Sequence, residues 1–150
     1  MPGTYTQLLV HVVFSTRGRT PWITTPVAEK LHPYLGGIIR AEGGNPLAIG
    51  GVEDHVHLYL RWKPDGSLSD LMRTVKSRSS KWLHDTFPGL KDFAWQEGYG
   101  AFSVSKSRES AVITYIQNQP QHHQREDFRS ELRAFLRRHL VDFEEKYLFE

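Results

Sequence analysis

The stretch EDHVHLYLRW, residues 53–62, decides the fold class because it predicts a β-strand with two chemically different faces. Side chains along a strand alternate between its faces. The apolar face, which we expect to pack on the core, consists of Val56, Leu58, Leu60 and Trp62. The opposite face consists of His55, His57, Tyr59 and Arg61. This strand therefore predicts a core on one side of a sheet and polar chemistry on the other.

The chain before this stretch predicts two more strands and a helix. Residues 5–15 form a near-continuous apolar run, which is typical of a central strand covered on both faces. Residues 25–42 have helical spacing of apolar side chains, with a kink or an early break expected at Pro33. A short strand over residues 46–50 and a glycine turn then lead into the central stretch.

The chain after this stretch predicts a helix that a serine caps at residue 67 or 69, and then a strand over residues 93–105 with a bulge at 98–100. Two more helices are predicted over residues 107–119 and 127–139. The order β-α-β-β-α-β is that of the ferredoxin-like arrangement, an α+β fold with one antiparallel sheet and two helices on one face. The C-terminal helices are additions to it.

The composition excludes several kinds of chemistry. The 150 residues have the length of one domain and contain no cysteine, which removes disulfides, thiolate zinc sites, iron–sulfur clusters and cysteine nucleophiles. No apolar run approaches the roughly 18 residues of a membrane-spanning helix, and no basic segment that would mark a secretory signal precedes the first apolar run. We therefore expect a cytoplasmic protein with a single domain over residues 1–150 and no membrane partner.

Positive charge is clustered although the formal net charge is only +2, which by itself does not indicate a nucleic-acid-binding protein. Four cations lie along one predicted helix with no acid between them: Arg73, Lys76, Arg78 and Lys81. This basic cluster is compatible with a solvated helix face and with a surface that contacts DNA phosphates. The pattern leaves both interpretations open.

The histidines of the polar strand face are a candidate metal site. His55 and His57 are two residues apart, so their imidazoles can converge on one divalent ion. A site with few nitrogen ligands suits Mg²⁺ or Mn²⁺ holding a phosphate. The alternative is a pair of polar residues on the solvent face of a half-exposed sheet. His11 lies within an apolar strand, where we expect a hydrogen-bonded core histidine rather than a ligand.

A tyrosine near the end of the next helix is a candidate nucleophile. Tyr115 and Gln119 are four residues apart and share one helix face, although each alone fits an ordinary helix residue. Combined with a histidine pair and a basic helix, they form the set needed for metal-assisted cleavage of a phosphodiester, with Tyr115 attacking phosphorus.

These motifs resemble those of the HUH nucleases. The sequence HVH at residues 55–57 matches the histidine–hydrophobic–histidine signature of that family, and YIQNQ at residues 115–119 matches its single-tyrosine branch. Further similarity lies in HVVFS at residues 11–15 with Arg19, in residues 95–105, and in His122 and His123. The chain is therefore similar, over nearly all of its length, to the insertion-sequence transposases of this branch and to the REP-associated tyrosine transposases.

The resemblance implies a function and a partner. Such proteins cut single-stranded DNA beside imperfect hairpins, so Tyr115 would remain attached to the 5′ side and free a 3′-hydroxyl. His55, His57 and Gln119 would hold Mg²⁺ or Mn²⁺. The family works as a homodimer, and in well-known members the tyrosine helix of one subunit completes the metal site of the other.

The resemblance implies less about other residues. The basic cluster would be part of the hairpin-binding surface, although it matches no family position. Asp54, beside the metal pair, is expected to form a turn or to support a metal ligand. His122 and His123 match a recurring pair, for which we expect a structural or DNA-contact role.

Two other functions fit parts of the pattern. A replication-initiator or conjugative nicking protein uses the same chemistry, but usually in a longer chain with a helicase domain. A non-catalytic ferredoxin-like nucleic-acid-binding module of the RNA-binding kind would need exposed aromatic side chains on its middle strands. The polar face of the central stretch offers one, Tyr59. We therefore predict an HUH transposase catalytic domain.

Overall fold

The structure, a computed structural model, describes residues 3–122 and 127–139. Four antiparallel strands form one sheet: β1 (Leu8–Ser15), β2 (Asn45–Val52), β3 (His55–Trp62) and β4 (Gly100–Ser103). Their spatial order is β2-β3-β1-β4, so β1 is central, as its apolar content predicts. This order and the helices between the strands confirm the ferredoxin-like α+β fold.

Five helices accompany the sheet in the part of the chain that the structure describes: α1 (Thr25–Ala41), α2 (Leu68–Thr86), α3 (Glu109–Gln117), α4 (Gln119–His122) and α5 (Phe128–Arg138). Apolar side chains of α1 and α2 pack together on one face of the sheet, where Val56, Leu58 and Leu60 are fully buried. The predicted core face of β3 is therefore confirmed. Within residues 3–122 and 127–139, no helix is both long and apolar enough to cross a membrane.

Helix α1 continues through Pro33 to Ala41, so the early break expected there is wrong. Proline removes one backbone hydrogen bond and crowds the preceding turn. The apolar residues on either side of it nevertheless remain in the core, where Leu31, Leu35 and Ile39 are fully buried. The burial of this stripe outweighs the local cost of the proline.

The last strand is shorter than predicted. The sequence predicts a strand over residues 93–105 with a bulge at 98–100, whereas the ladder to β1 covers Gly100–Ser103. Before it, Trp95 forms only an isolated bridge with Thr16. The carbonyl oxygens of residues 96–98 accept hydrogen bonds from Lys76 Nζ of α2 in place of a strand ladder.

The polar face of β3 is covered rather than exposed to solvent. His55, His57 and Tyr59 are fully buried, so the half-exposed sheet considered for the histidine pair is wrong. The cover is a second set of apolar side chains, formed by Ile116 of α3 and by Phe128, Leu132, Phe135 and Leu136 of α5. The sheet therefore has a packed layer on both faces.

Candidate active site

The centre of the site is the beginning of β3. His55 and His57 project from one face of this strand, and ladders to β1 on one side and β2 on the other fix their positions. Their ring centroids are 5.1 Å apart. Both Nε2 atoms approach the same carboxylate oxygen, so the two imidazoles converge as their spacing predicts.

That oxygen belongs to Glu131 of α5, which no sequence motif indicated. Glu131 Oε1 lies 2.9 Å from His57 Nε2 and 3.3 Å from His55 Nε2. The glutamate side chain is only 2% exposed, which makes an unpaired carboxylate there very costly. Ligand atoms of the three side chains lie within 4.8 Å of one another. These three residues could therefore hold a metal ion.

Helix α5 carries this carboxylate into the interior because Glu131 lies on its apolar face. The helix begins with a cap, in which Asp127 Oδ1 accepts a hydrogen bond from the Ser130 backbone N–H at 2.9 Å. Its buried positions follow the spacing i, i+3, i+4, i+7, i+8 and are Phe128, Glu131, Leu132, Phe135 and Leu136. A single acid within an apolar stripe is thus the sequence signal that could have located this residue.

Gln119 and Tyr115 complete the cluster around Glu131. Gln119, fully buried at the start of α4, places its Oε1 atom 3.1 Å from His55 Nε2. Its Nε2 donates to Glu131 Oε2 at 3.2 Å. The Tyr115 hydroxyl donates to the same carboxylate oxygen. The structure thus brings together, within one chain, the four side chains that the sequence analysis proposed for the site.

Each histidine uses its second ring nitrogen for a further hydrogen bond. His55 Nδ1 bonds to Asp54 Oδ1 at 2.7 Å, and His57 Nδ1 bonds to His11 Nε2 at 2.8 Å. Such outer partners fix the ring orientation of metal-ligating histidines, and here they leave both Nε2 atoms facing the centre. Asp54 thus lies in the turn before β3 and bonds to His55, and the expectation that His11 is a hydrogen-bonded core histidine is confirmed.

The surroundings move the pKa values of two histidines in opposite directions. Burial lowers the pKa of His55, but hydrogen bonds to Asp54 and Glu131 outweigh burial and raise that pKa to about 9. Burial, with the neighbouring His57, lowers the pKa of His11 to about 3. Near neutral pH, His55 is therefore an imidazolium between two carboxylates and His11 is neutral. A metal ion would have to displace the proton of His55.

Two other sequence predictions lie away from this cluster. The basic cluster belongs to α2, which packs on the opposite face of the sheet. Three of its cations form ion pairs: Arg73 with Asp70, Arg78 with Glu42 and Lys81 with Asp85. The fourth, Lys76, is directed at backbone carbonyl oxygens. His122 ends α4, whereas its side chain and all of His123 lie outside the described residues.

Comparison with known proteins links this geometry to a family. Residues 4–119 match the family model described as IS200-like transposase. The chain is also 26% identical over 118 residues to the ISDra2 transposase TnpA of Deinococcus radiodurans, in an alignment that covers 75% of this chain and 84% of the relative.

Two solved structures are similar to this chain. A structure assigned as a transposase from Deinococcus radiodurans superposes with a TM-score of 0.67 and 27% identity, covering 79% of this chain and 95% of the other. A REP-associated tyrosine transposase bound to a REP hairpin superposes with a TM-score of 0.61 and 17% identity, covering 82% and 73% of the two chains. The second likeness, at this low identity, concerns the fold. Glu131 lies beyond the stretch that the family model matches.

Proposed function

The chain belongs to the IS200-like transposase family, and from this premise we propose that it cuts and rejoins single-stranded DNA through a covalent bond to Tyr115. The observation that carries the proposal is the convergence of a phenol, two imidazoles and an amide on one buried carboxylate. A nucleophile beside a metal-ligand set is the arrangement that metal-assisted phosphodiester cleavage needs.

We propose that His55, His57 and Glu131 hold Mg²⁺ or Mn²⁺, with Gln119 Oε1 as a further ligand. The residues fit such an ion, because imidazole nitrogens and carboxylate and amide oxygens suit Mn²⁺, and the oxygens suit Mg²⁺. When bound, the ion would polarise the scissile phosphate and stabilise the negative charge that develops on it. Asp54 and His11 keep the imidazoles oriented toward the centre.

Tyr115 is the proposed nucleophile. Its hydroxyl donates to Glu131, so an arriving phosphodiester takes the place of that carboxylate oxygen as the partner of the phenol. The bond from the tyrosine oxygen to phosphorus forms as the bond from phosphorus to the 3′ oxygen breaks. In net balance, the phenol proton passes to the 3′ oxygen. The 5′-phosphotyrosine retains the energy of the broken bond, so a 3′-hydroxyl can later reverse the step.

The proposed substrate is single-stranded DNA with hairpins beside the cleavage site, handled in the cytoplasm by a homodimer of single catalytic domains over residues 1–150. Support for the hairpin comes from a REP-associated tyrosine transposase of the same fold that is bound to a REP hairpin. In this structure, Tyr115 and Gln119 reach the histidines of their own chain. We therefore propose that each subunit of the dimer can complete its own site.

The test of this function is a covalent adduct. The protein is mixed with Mg²⁺ and a labelled single-stranded oligonucleotide that contains a hairpin, and the products are separated under denaturing conditions. We expect a protein–DNA adduct that EDTA prevents and that Tyr115→Phe abolishes. Tyr34→Phe is the matched control, because Tyr34 stacks on Trp82 in the core on the opposite face of the sheet, and it should leave the adduct unchanged. DNA binding without an adduct from the unchanged protein would contradict the proposal.

A further inference from the structure

We propose that a groove beside α2 binds single-stranded DNA close to the candidate active site, an inference that rests on the proposed function. The groove lies between α2 and residues 94–99 and has a volume of about 570 Å³. Its lining includes Arg17, Arg73, Lys76, Ser80, Glu97 and Tyr99. Cations, a hydroxyl group and an aromatic ring are thus gathered on one concave surface.

Two arginines give this groove accessible positive charge. Arg17 is exposed in the short turn after β1, and within residues 3–122 and 127–139 no carboxylate lies within ion-pair distance of its side chain. Arg73 pairs with Asp70, but these side chains are 76% and 67% exposed, and such surface pairs contribute little. A DNA phosphate can therefore compete for Arg73. Glu97 is the acid in the lining, and the cations outnumber it.

Tyr99 provides a ring for stacking on a DNA base. Among the aromatic residues that the structure describes, only Tyr5 is more exposed than Tyr99, which is 37% exposed. Lys76 holds the segment that carries it, because Lys76 Nζ donates to the carbonyl oxygens of residues 96–98 at distances of 2.6 to 3.1 Å. The same ammonium lies 5.7 Å from the centre of the Tyr99 ring. Lys76 therefore holds one wall of the groove in place, and we expect Arg17 and Arg73 to contact the DNA phosphates.

The groove and the candidate active site lie at the same end of the sheet. Ser15, the last residue of β1, pairs with His55. On the groove side, Gln96 Oε1 accepts from the Ser15 backbone N–H at 2.6 Å, and the Gln96 backbone N–H donates to the Ser15 carbonyl oxygen at 2.9 Å. The end of β1 therefore separates the groove wall from the histidine strand. The groove lies on the α2 face of the sheet and the histidines lie on the α5 face, so a DNA strand that reaches both places passes around this end of β1.

The chemistry of the lining favours a single strand over a duplex. Proteins that bind single strands combine cations that follow the backbone with aromatic rings on which bases stack. A base in a duplex is already stacked on its neighbours and has no free face for Tyr99. The basic cluster is thereby divided, because Arg73 lines the groove while Arg78 and Lys81 do not.

The experiment compares two double variants that remove the same charge. Binding of a labelled, hairpin-free thymidine oligonucleotide is measured by fluorescence anisotropy over a range of salt concentrations, with EDTA present to prevent cleavage. For Arg17→Gln/Arg73→Gln, we expect weaker binding and a salt slope smaller by about 1.4, because each phosphate contact on a single strand contributes about 0.7. For Arg78→Gln/Lys81→Gln, we expect the slope of the unchanged protein.

Tyr99 provides an independent measurement on the same oligonucleotide. Tyr99→Ala should weaken binding roughly tenfold through loss of stacking, whereas Tyr99→Phe should bind as the unchanged protein does. Circular dichroism and the urea midpoint verify that each variant is folded.

An equal loss of oligonucleotide affinity in the two double variants, or unchanged affinity in Arg17→Gln/Arg73→Gln, would overturn the inference. If the unchanged protein forms the Tyr115 adduct but the groove variants bind the oligonucleotide normally, the groove inference is wrong and the proposed function stands. If the groove variants bind more weakly but the unchanged protein forms no adduct, the proposed function is wrong.

Discussion

Strand β3 and helix α5 meet at the same buried cluster but hold their side chains there by different means. β3 is paired on both sides, with β1 and with β2, so the backbone ladder sets the spacing of His55 and His57. Helix α5 has no ladder, and its apolar side chains pack it against Val13 and Phe102. The family model covers β3 and ends at residue 119, before α5 begins.

This difference separates the site into a fixed part and a docked part. The histidine pair keeps its geometry as long as the sheet exists. The position of Glu131 instead depends on whether α5 is packed against the sheet, because the helix reaches the site through side-chain contacts. Changes on the two elements should therefore have effects of different size, and three experiments follow from this.

The largest difference is expected in metal affinity. His57→Ala should abolish measurable Mn²⁺ binding, because it removes a nitrogen ligand whose position the strand ladder fixes. Glu131→Gln should weaken binding by more than the roughly tenfold lower limit for loss of an outer partner, because Glu131 is itself a proposed ligand and the amide keeps an oxygen donor but loses the charge. Isothermal titration of the metal-free protein with Mn²⁺ measures both variants.

The control for this titration is His84→Gln, since His84 Nε2 bonds to the Phe93 carbonyl oxygen away from the cluster. It should bind Mn²⁺ as the unchanged protein does. An equal loss of affinity in His57→Ala and Glu131→Gln would show that α5 is as firmly part of the site as β3. Unchanged affinity in Glu131→Gln would remove the glutamate from the proposed ligand set.

The β3 part of the site could be predicted from sequence because its information is local. Alternation along residues 53–62 fixes which side chains share a face. The single helix face predicted for Tyr115 and Gln119 is wrong, because α3 ends at Gln117 and Gln119 begins α4, yet both side chains reach Glu131. The element order and the strand pairing that follow from such patterns were also predicted. These features depend on backbone periodicity, which the sequence carries directly.

The α5 part could not be predicted in the same way because tertiary packing determines it. The periodicity of residues 127–139 indicates an amphipathic helix, but it does not say which face of the sheet the helix covers. That contact buries the histidines and brings Glu131 to them. Likewise, the run of cations on α2 does not show that Lys76 turns toward the carbonyl oxygens of residues 96–98, in the segment before β4.

The next effect is a pH dependence of stability to which both regions contribute. The pKa of His55 is raised to about 9 in the folded protein from an ordinary value of 6.5, so protonation of this group favours folding. The stabilisation is fully present below about pH 6.5 and is lost as the pH rises through 9. It amounts to about 3 kcal/mol, since one pKa unit corresponds to about 1.4 kcal/mol. Over the same range Lys76, whose pKa burial lowers to about 8, adds stability as it loses its proton. Urea unfolding of the metal-free protein and of its His55→Gln variant at pH 6 and pH 10 therefore measures the His55 contribution as the difference between the two.

Two variants measure how much of this pH dependence comes from the carboxylate beside β3 and how much from the carboxylate of α5. Asp54→Asn removes the carboxylate next to β3 and Glu131→Gln removes the carboxylate of α5, so each should reduce the loss of stability between pH 6 and pH 10. His55→Gln should remove the contribution of this group altogether. A full loss of about 3 kcal/mol that persists in His55→Gln would mean that another group causes it.

The smallest expected effect is the loss of stability when the N-cap residue of α2 or of α5 is replaced. Ser67 caps α2 by accepting from the Asp70 backbone N–H at 3.2 Å, and Asp127 caps α5 in the same way from Ser130 at 2.9 Å. Replacing either cap with alanine should cost about 1 kcal/mol. Because α2 packs in the main core, Ser67→Ala should lower the free energy of global unfolding. Asp127→Ala should instead speed hydrogen exchange in α5 and leave global unfolding nearly unchanged, because a docked element opens locally.

Hydrogen exchange resolved by segment, together with urea unfolding, distinguishes these outcomes. Asp127→Asn is the control, because asparagine caps a helix about as well as aspartate, and exchange in α5 should then stay slow. Faster opening of α5 in Asp127→Ala should also weaken Mn²⁺ binding slightly, since Glu131 is at the centre only while the helix is packed. A drop in global stability equal to that of Ser67→Ala would show that α5 unfolds together with the sheet. The distinction between a fixed and a docked part of the site would then be wrong.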